Sequence, residues 1–254
     1  MDLPGVAPAR GDKGRIAPER NGNAMIADNL ARVHERIASA CARAGRPVQS
    51  VTLLVASKSH AESALREAFA AGERRFGENY VQEGLDKMVR LADLRGELEW
   101  HLIGPLQSNK TRPVAAQFDW VHTIDRVKTA ERLSAQRPAH LPPLSVCLQV
   151  NISGEASKAG FAPAEVATAA LAVAALPRLK LRGLMALPEP AAGFEAQRQP
   201  HRALRLLYED LRGRGLELDT LSMGMSDDLE AAIAEGATLV RVGSAVFGAR
   251  PAAR

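Results

Sequence analysis

The chain has 254 residues, enough for one large domain or two small ones, and at 46% hydrophobic and 24% charged it has the composition of a globular protein with ample material for a core. Aromatic residues at 4% argue against a platform that stacks single-stranded bases, and the net charge of +4 is scattered among acidic residues with no basic block, so no nucleic-acid partner is expected. No N-terminal apolar segment reads as a signal peptide, the longest apolar run (166–176) is too short and alanine-rich to span a bilayer, and Cys41 and Cys147 form no metal-type spacing; the expectation is a cytoplasmic protein with reduced thiols and no membrane partner.

Residues 1 to about 22, rich in Pro, Gly, Arg and Asp without periodicity, read as a disordered tail ahead of a domain over 23–254. Ile26, Leu30, Val33, Ile37, Cys41 and Ala44 then fall on one face of an amphipathic helix, with Asn23 placed to cap its start and Gly45 and Pro47 to end it. From residue 51 a pattern repeats. Strands are predicted at 51–57, 74–79, 99–104, 120–124, 145–151, 179–186, 220–224 and 238–244, separated by helical stretches such as 61–72, 81–93, 125–136, 163–176, 194–215 and 227–236. Eight strands in βα alternation over this length predict a single (β/α)8 TIM barrel with an extra N-terminal helix, the rival being an open doubly wound sheet.

In a barrel, function sits where the strands end. Those positions are polar here: Lys58, Asn79, His101 with Gly104, Thr123, Asn151, Ser222 with Gly224, and Gly243 with Ser244. Their convergence on one mouth favours the barrel. Lys58, in "LLVASKSH", is either the point where the chain meets solvent or an amine placed for chemistry, which needs an apolar pocket or a nearby cation to depress its pKa. Arg241, flanked by Leu239, Val240 and Val242, is either an outward residue paired with a helix or a buried cation beside Lys58, since the last strand of a closed barrel lies against the first. The exits "LSMGMSDD" and "RVGSAVFGAR" offer glycines and the hydroxyls of Ser222 and Ser244 to a phosphate in the two loops where barrels commonly hold one. Asp227 and Asp228 would repel it, so Gly243 and Ser244 are expected to hold it more directly. His101 alone suits a structural histidine, and Asn79 suits a helix cap near Val81. With no metal spacing, nucleophile elbow or Walker loop present, the lysine, arginine and phosphate nest together suggest a Schiff base with a phosphorylated aldehyde.

The segments "VASKSH", "FGENYVQE", "WHLIGPLQSNK", "VNISGEASKAGF", "LRGLMALP" and "LSMGMSDDLEAAIAEGATLVRVGSAVFGAR" closely resemble the YggS/PROSC family of pyridoxal 5′-phosphate (PLP)-binding proteins, in order from about residue 50 to 250. The resemblance implies an alanine-racemase-like barrel of PLP fold type III, with PLP as a Schiff base on Lys58 and Arg241 at the pyridine nitrogen. It places Ser222, Gly224, Gly243 and Ser244 at the phosphate, and Asn79 and His101 along the cofactor. It further implies a monomer concerned with vitamin B6 and amino- and keto-acid homeostasis, with little or no turnover and with apo PLP-dependent enzymes as candidate partners. An arginine at the ring nitrogen cannot protonate it as a carboxylic acid would, which limits the ring as an electron sink. Related enzymes carry a second β domain that supplies a tyrosine base; this chain ends at Arg254, just past the eighth strand, and its tyrosines are Tyr80 and Tyr208. The alternatives are a PLP-dependent amino-acid racemase using Lys58 with Tyr80 or water, and a lysine Schiff-base aldolase acting on a sugar phosphate.

Overall fold

The computed structural model describes Met1 and residues 22–155 and 158–248; the expected tail lies outside these residues except for Met1 and Gly22. Eight parallel strands close into a barrel in sequence order. They are β1 (Thr52–Ala56), β2 (Arg75–Glu78), β3 (Glu99–Leu102), β4 (Trp120–Ile124), β5 (Leu144–Gln149), β6 (Leu179–Met185), β7 (Thr220–Ser222) and β8 (Leu239–Val242). All eight predicted strands are present, each slightly shorter than or equal to its predicted run, except that β5 starts one residue earlier. Closure comes from β1 pairing with β8, which sets Leu54 opposite Arg241.

The helices follow from the sequence in the same order: α1 (Gly22–Arg43), α2 (Glu62–Ala70), α3 (Val81–Arg90), α4 (Thr111–Gln117), α5 (Val127–Gln136), α6 (Val166–Ala174), α7 (Phe194–Gly213), α8 (Leu229–Ala234) and α9 (Ser244–Phe247). The start of α1 differs from expectation: helix begins at Gly22, so Asn23 lies in its first turn rather than capping it. Its end is as expected. Gly45 turns left-handed (φ 63°), and the Gly45 and Arg46 N–H groups return to the Ala42 and Cys41 carbonyls at 3.1 and 2.9 Å, closing the last turn. The short α4 and α9 were not among the predicted helices.

The last strand is followed by only four helical residues, and α1 makes up the deficit. It packs against α2, α8 and α9. Asn29 Nδ2 donates to the Val246 carbonyl at 2.7 Å, and Arg36 forms a two-point pair with Glu230 at 3.0 Å on each oxygen. The outward strand residues, Val55, Phe76, Trp100, Leu102, Val121, Leu148, Val240 and Val242 among them, join the helices in the main core. Burial on both faces is why these strands read as near-continuous apolar runs. The barrel interior is divided differently. Leu54, Ile103 and Leu239 with Ala56 form one small apolar cluster, and Trp120, Cys147 and Met185 another. Polar side chains lie there too, among them His101, His122, Ser222 and Arg241, all buried.

Candidate functional site

A cavity of about 570 Å³ opens at the C-terminal ends of the strands. Of the eight residues singled out from the sequence, Lys58, Asn79, Arg241, Gly243 and Ser244 line it. His101, Ser222 and Gly224 do not line it, for three separate reasons. His101 is fully buried inside the barrel, stacked on Trp120 with ring centroids 5.3 Å apart. Ser222 is fully buried, its hydroxyl held between Arg241 Nη1 (2.7 Å) and His122 Nδ1 (2.8 Å). Gly224 makes the turn out of β7 with φ +93°, where a Cβ would come within 2.5 Å of Ala232, and its carbonyl accepts the Arg241 N–H at 2.9 Å.

Lys58 is placed by its two neighbours. Ser57, fully buried, donates its hydroxyl to Glu78 Oε1 at 2.6 Å. Lys87 on α3 donates from Nζ to the Ser57 carbonyl, to Glu78 Oε1 and to Glu83 Oε1, each at 2.7 Å. Glu83 Oε1 also accepts the backbone N–H of Ser59, the one non-glycine residue with positive φ (63°) among the described residues. That conformation costs roughly 1–3 kcal/mol and persists where surrounding contacts over-determine it. A buried ionic clamp therefore holds the backbone on both sides of Lys58, while Lys58 itself makes no hydrogen bond or ion pair among the described residues. Burial pushes the Glu78 carboxyl up, against the opposing pull of Lys87 and Ser57.

Arg241 enters the cavity wall from β8. Its guanidinium donates to Ser222 Oγ and, at 3.0 Å, to the Ala186 carbonyl, with no carboxylate at ion-pair distance among the described residues. Burial pushes it down to about 10, so it is still a cation at neutral pH. Across the mouth, the Ser226 and Ser244 hydroxyls stand 3.3 Å apart on the two strand exits, and Gly243 beside them has no side chain to fill the space; a Cβ there would lie 2.8 Å from the Ala56 carbonyl. The acidic residues of the "SDD" turn behave differently. Asp227 lines the cavity, whereas Asp228 is engaged by the Met225 N–H (2.6 Å) and His201 Nε2 (2.9 Å).

The sequence reading passed over Ser226, Glu78, Glu83, Lys87 and His122. Ser226 lies four residues beyond Ser222; β7 ends at Ser222, so the loop serine and not the strand serine lines the cavity. Glu83 and Lys87 look in sequence like an ordinary surface i,i+4 pair.

The fold and the cavity together define a class, a (β/α)8 barrel of the alanine racemase type. The family model for the alanine racemase N-terminal domain matches residues 26–251. The alanine racemase of Clostridium difficile 630 shares that fold, with a TM-score of 0.71 at 12% identity over 90% of this chain and 58% of that one. Nearer relatives narrow the class. The pyridoxal phosphate homeostasis protein of Pseudomonas aeruginosa is 61% identical over 225 residues, 89% of this chain and 96% of that protein. PipY of Synechococcus elongatus PCC7942, solved with PLP bound, is similar with a TM-score of 0.76 and 38% identity over 88% of this chain and all of that one. The chain belongs to the family of the pyridoxal phosphate homeostasis proteins.

Proposed function

We propose that the protein binds PLP in the cavity at the strand ends and holds it for vitamin B6 and amino- and keto-acid homeostasis, with little or no turnover. Arg241 carries this reading: a cation this deeply buried, in a cavity wall and without a counter-ion at contact distance among the described residues, calls for a ligand that brings an acceptor to it. The other lining residues fit the same group. Lys58 offers an amine to the aldehyde carbon, forming a carbon–nitrogen bond as the carbonyl oxygen leaves as water. Ser226, Ser244 and the Gly243 backbone offer donors to the phosphate, and Asn79 lies along the same wall. When bound, the cofactor supplies a ring that withdraws electrons from the carbon attached to Lys58.

Arg241 would donate a hydrogen bond to the pyridine nitrogen and keep its own proton, so it weakens that withdrawal in comparison with an acidic partner. Low turnover is further supported by the tyrosines. Tyr208 is buried with its hydroxyl on the Leu218 carbonyl at 2.9 Å, and Tyr80 is exposed and lies outside the cavity wall. Action as a monomer, a cytoplasmic location and release of PLP to apo-enzymes belong to the same reading; among the described residues no helix is long and apolar enough to cross a membrane.

Borohydride treatment of the PLP-loaded protein, followed by peptide mass analysis, tests the site. A pyridoxyl mass on the Lys58 peptide, absent from Lys58→Ala, is expected; label on another lysine, or no PLP uptake, overturns the assignment. Loss of optical activity from L-alanine or L-serine that requires Lys58 and exceeds that with free PLP would replace the carrier reading with a racemase.

A further inference from the structure

The barrel interior holds a row of polar side chains that runs from one end of the barrel to the other. Glu99 Oε1 and His101 Nε2 are 2.8 Å apart, and His101 Nδ1 and His122 Nε2 are 2.9 Å apart. His122 Nδ1 lies 2.8 Å from Ser222 Oγ, which lies 2.7 Å from Arg241 Nη1. The row starts at the first residue of β3, where the strands begin, crosses from β4 to the non-adjacent β7 through the interior, and ends in the cavity wall. His101, His122 and Ser222 are fully buried.

The carboxylate end and a single hydrogen on each ring set the direction of the chain. A guanidinium only donates, so Ser222 Oγ accepts from Arg241. A carboxylate only accepts, so His101 Nε2 carries a hydrogen. Burial lowers the proton affinity of both imidazoles, and each therefore carries one hydrogen. His101 Nδ1 is then bare and accepts from His122 Nε2–H, which leaves His122 Nδ1 bare to accept the Ser222 hydroxyl. All four contacts point from Arg241 to Glu99. Reversing one link would set two hydrogens or two lone pairs against each other among fully buried groups.

We propose that Glu99 is a positioning residue for Arg241: through His101, His122 and Ser222 its carboxylate holds a one-directional hydrogen-bond chain that orients the guanidinium toward the ligand in the cavity. The consequence for the pyridine nitrogen rests on the PLP reading above. Glu99 is suited to anchoring such a chain. Arg75 Nε holds the same Oε1 at 3.3 Å, and although burial alone would raise the carboxyl, His101 and Arg75 keep it below its ordinary value, as an anion.

Imidazole ¹⁵N spectra of the ligand-free protein test the chain without any cofactor. Both His101 and His122 are expected neutral with the hydrogen on Nε2; an Nδ1–H tautomer or an imidazolium at either ring at neutral pH overturns the proposal. Glu99→Leu, which removes the acceptor, is expected to give mixed tautomers at His101, to displace the absorption maximum of the PLP-loaded protein and to weaken PLP roughly fivefold or more. Glu99→Gln, which retains an acceptor oxygen, restores the tautomers and most of the affinity. A Glu99→Leu protein with wild-type absorption and affinity overturns the proposal and leaves the PLP site standing. Failure of every form to take up PLP removes the PLP reading, and the tautomers still decide the chain. If Glu99→Leu does not fold, the wild-type and Glu99→Gln spectra carry the decision.

Discussion

Lys58 and Lys87 both reach the exit of β1, and the structure treats them in opposite ways. Lys87, 6% exposed, has each of its three donors on an oxygen at 2.7 Å, two of them carboxylate oxygens. Lys58, one residue past the carbonyl that Lys87 holds, lines the cavity and makes no bond among the described residues. An amine whose three protons are committed to anionic or carbonyl partners is a poor nucleophile, because attack requires a lone pair. The clamp thus commits Lys87 to the Ser57 carbonyl and leaves Lys58, the next residue after Ser57, without a partner among the described residues. Burial and full pairing mark Lys87 as a structural cation, whereas Lys58 is left without a partner among the described residues.

The comparison breaks most visibly on substitution of each lysine by methionine. Lys87→Met strands Glu78, a fully buried carboxylate whose Oε2 already lacks a partner, and leaving one half of a buried pair costs about 3–5 kcal/mol. Lys58→Met removes a side chain with no partner and is expected to stay within about 0.5 kcal/mol of wild type while losing all pyridoxyl label. Urea denaturation of both variants checks this, and equal destabilisation would show that Lys58 is held as firmly as Lys87.

A second test uses pH to separate the clamp from the barrel interior. Burial lowers both His101 and His122, so the folded chain keeps them neutral while the unfolded chain binds protons below about pH 6.5. Their contribution to stability is therefore complete above that pH and is lost as pH falls below it, by up to about 1.4 kcal/mol per pH unit for each ring. His34, raised by its hydrogen bond to Glu73, and Glu78, raised by burial, act in the opposite sense and offset part of the loss. Thermal melts between pH 7.5 and 5 are expected to show falling stability on acidification, with a shallower slope in His122→Gln. A slope unchanged by that substitution would mean that the His122 ring does not stay neutral on account of the fold.

The barrel was legible because β-branched and apolar runs of strand length recur between helical stretches, and the strand ends carry the polar residues. The short α4 and α9 escaped because seven and four residues carry too little periodicity to register. Lys58 and Arg241 stood out as charges adjoining apolar strands. The roles of Ser222 and His101 were harder to read for a single reason: alternation says that a strand residue faces the interior, but not how deep along the barrel axis it lies. Both sit below the cavity floor, bonded to His122. The Glu78–Lys87 clamp joins a strand end to the helix after it, a contact that depends on the angle between the two.

That difference in depth along β7 and its exit yields the finest prediction. Ser226 in the loop faces Ser244 at the cavity mouth, whereas Ser222 in the strand faces Arg241 and His122. A hydrogen bond to a charged group is worth about 1.5–3 kcal/mol, so Ser226→Ala is expected to weaken PLP about tenfold or more. It should leave the affinity for pyridoxal, which has no phosphate, unchanged. Ser222→Ala withdraws support from Arg241, and so weakens PLP and pyridoxal by the same factor. Titrating both ligands into both variants separates the two serines, because a phosphate contact discriminates between the ligands and a contact through Arg241 does not. If Ser222→Ala penalises PLP alone, the strand serine reaches the phosphate after all, and the division between mouth and interior fails at that position.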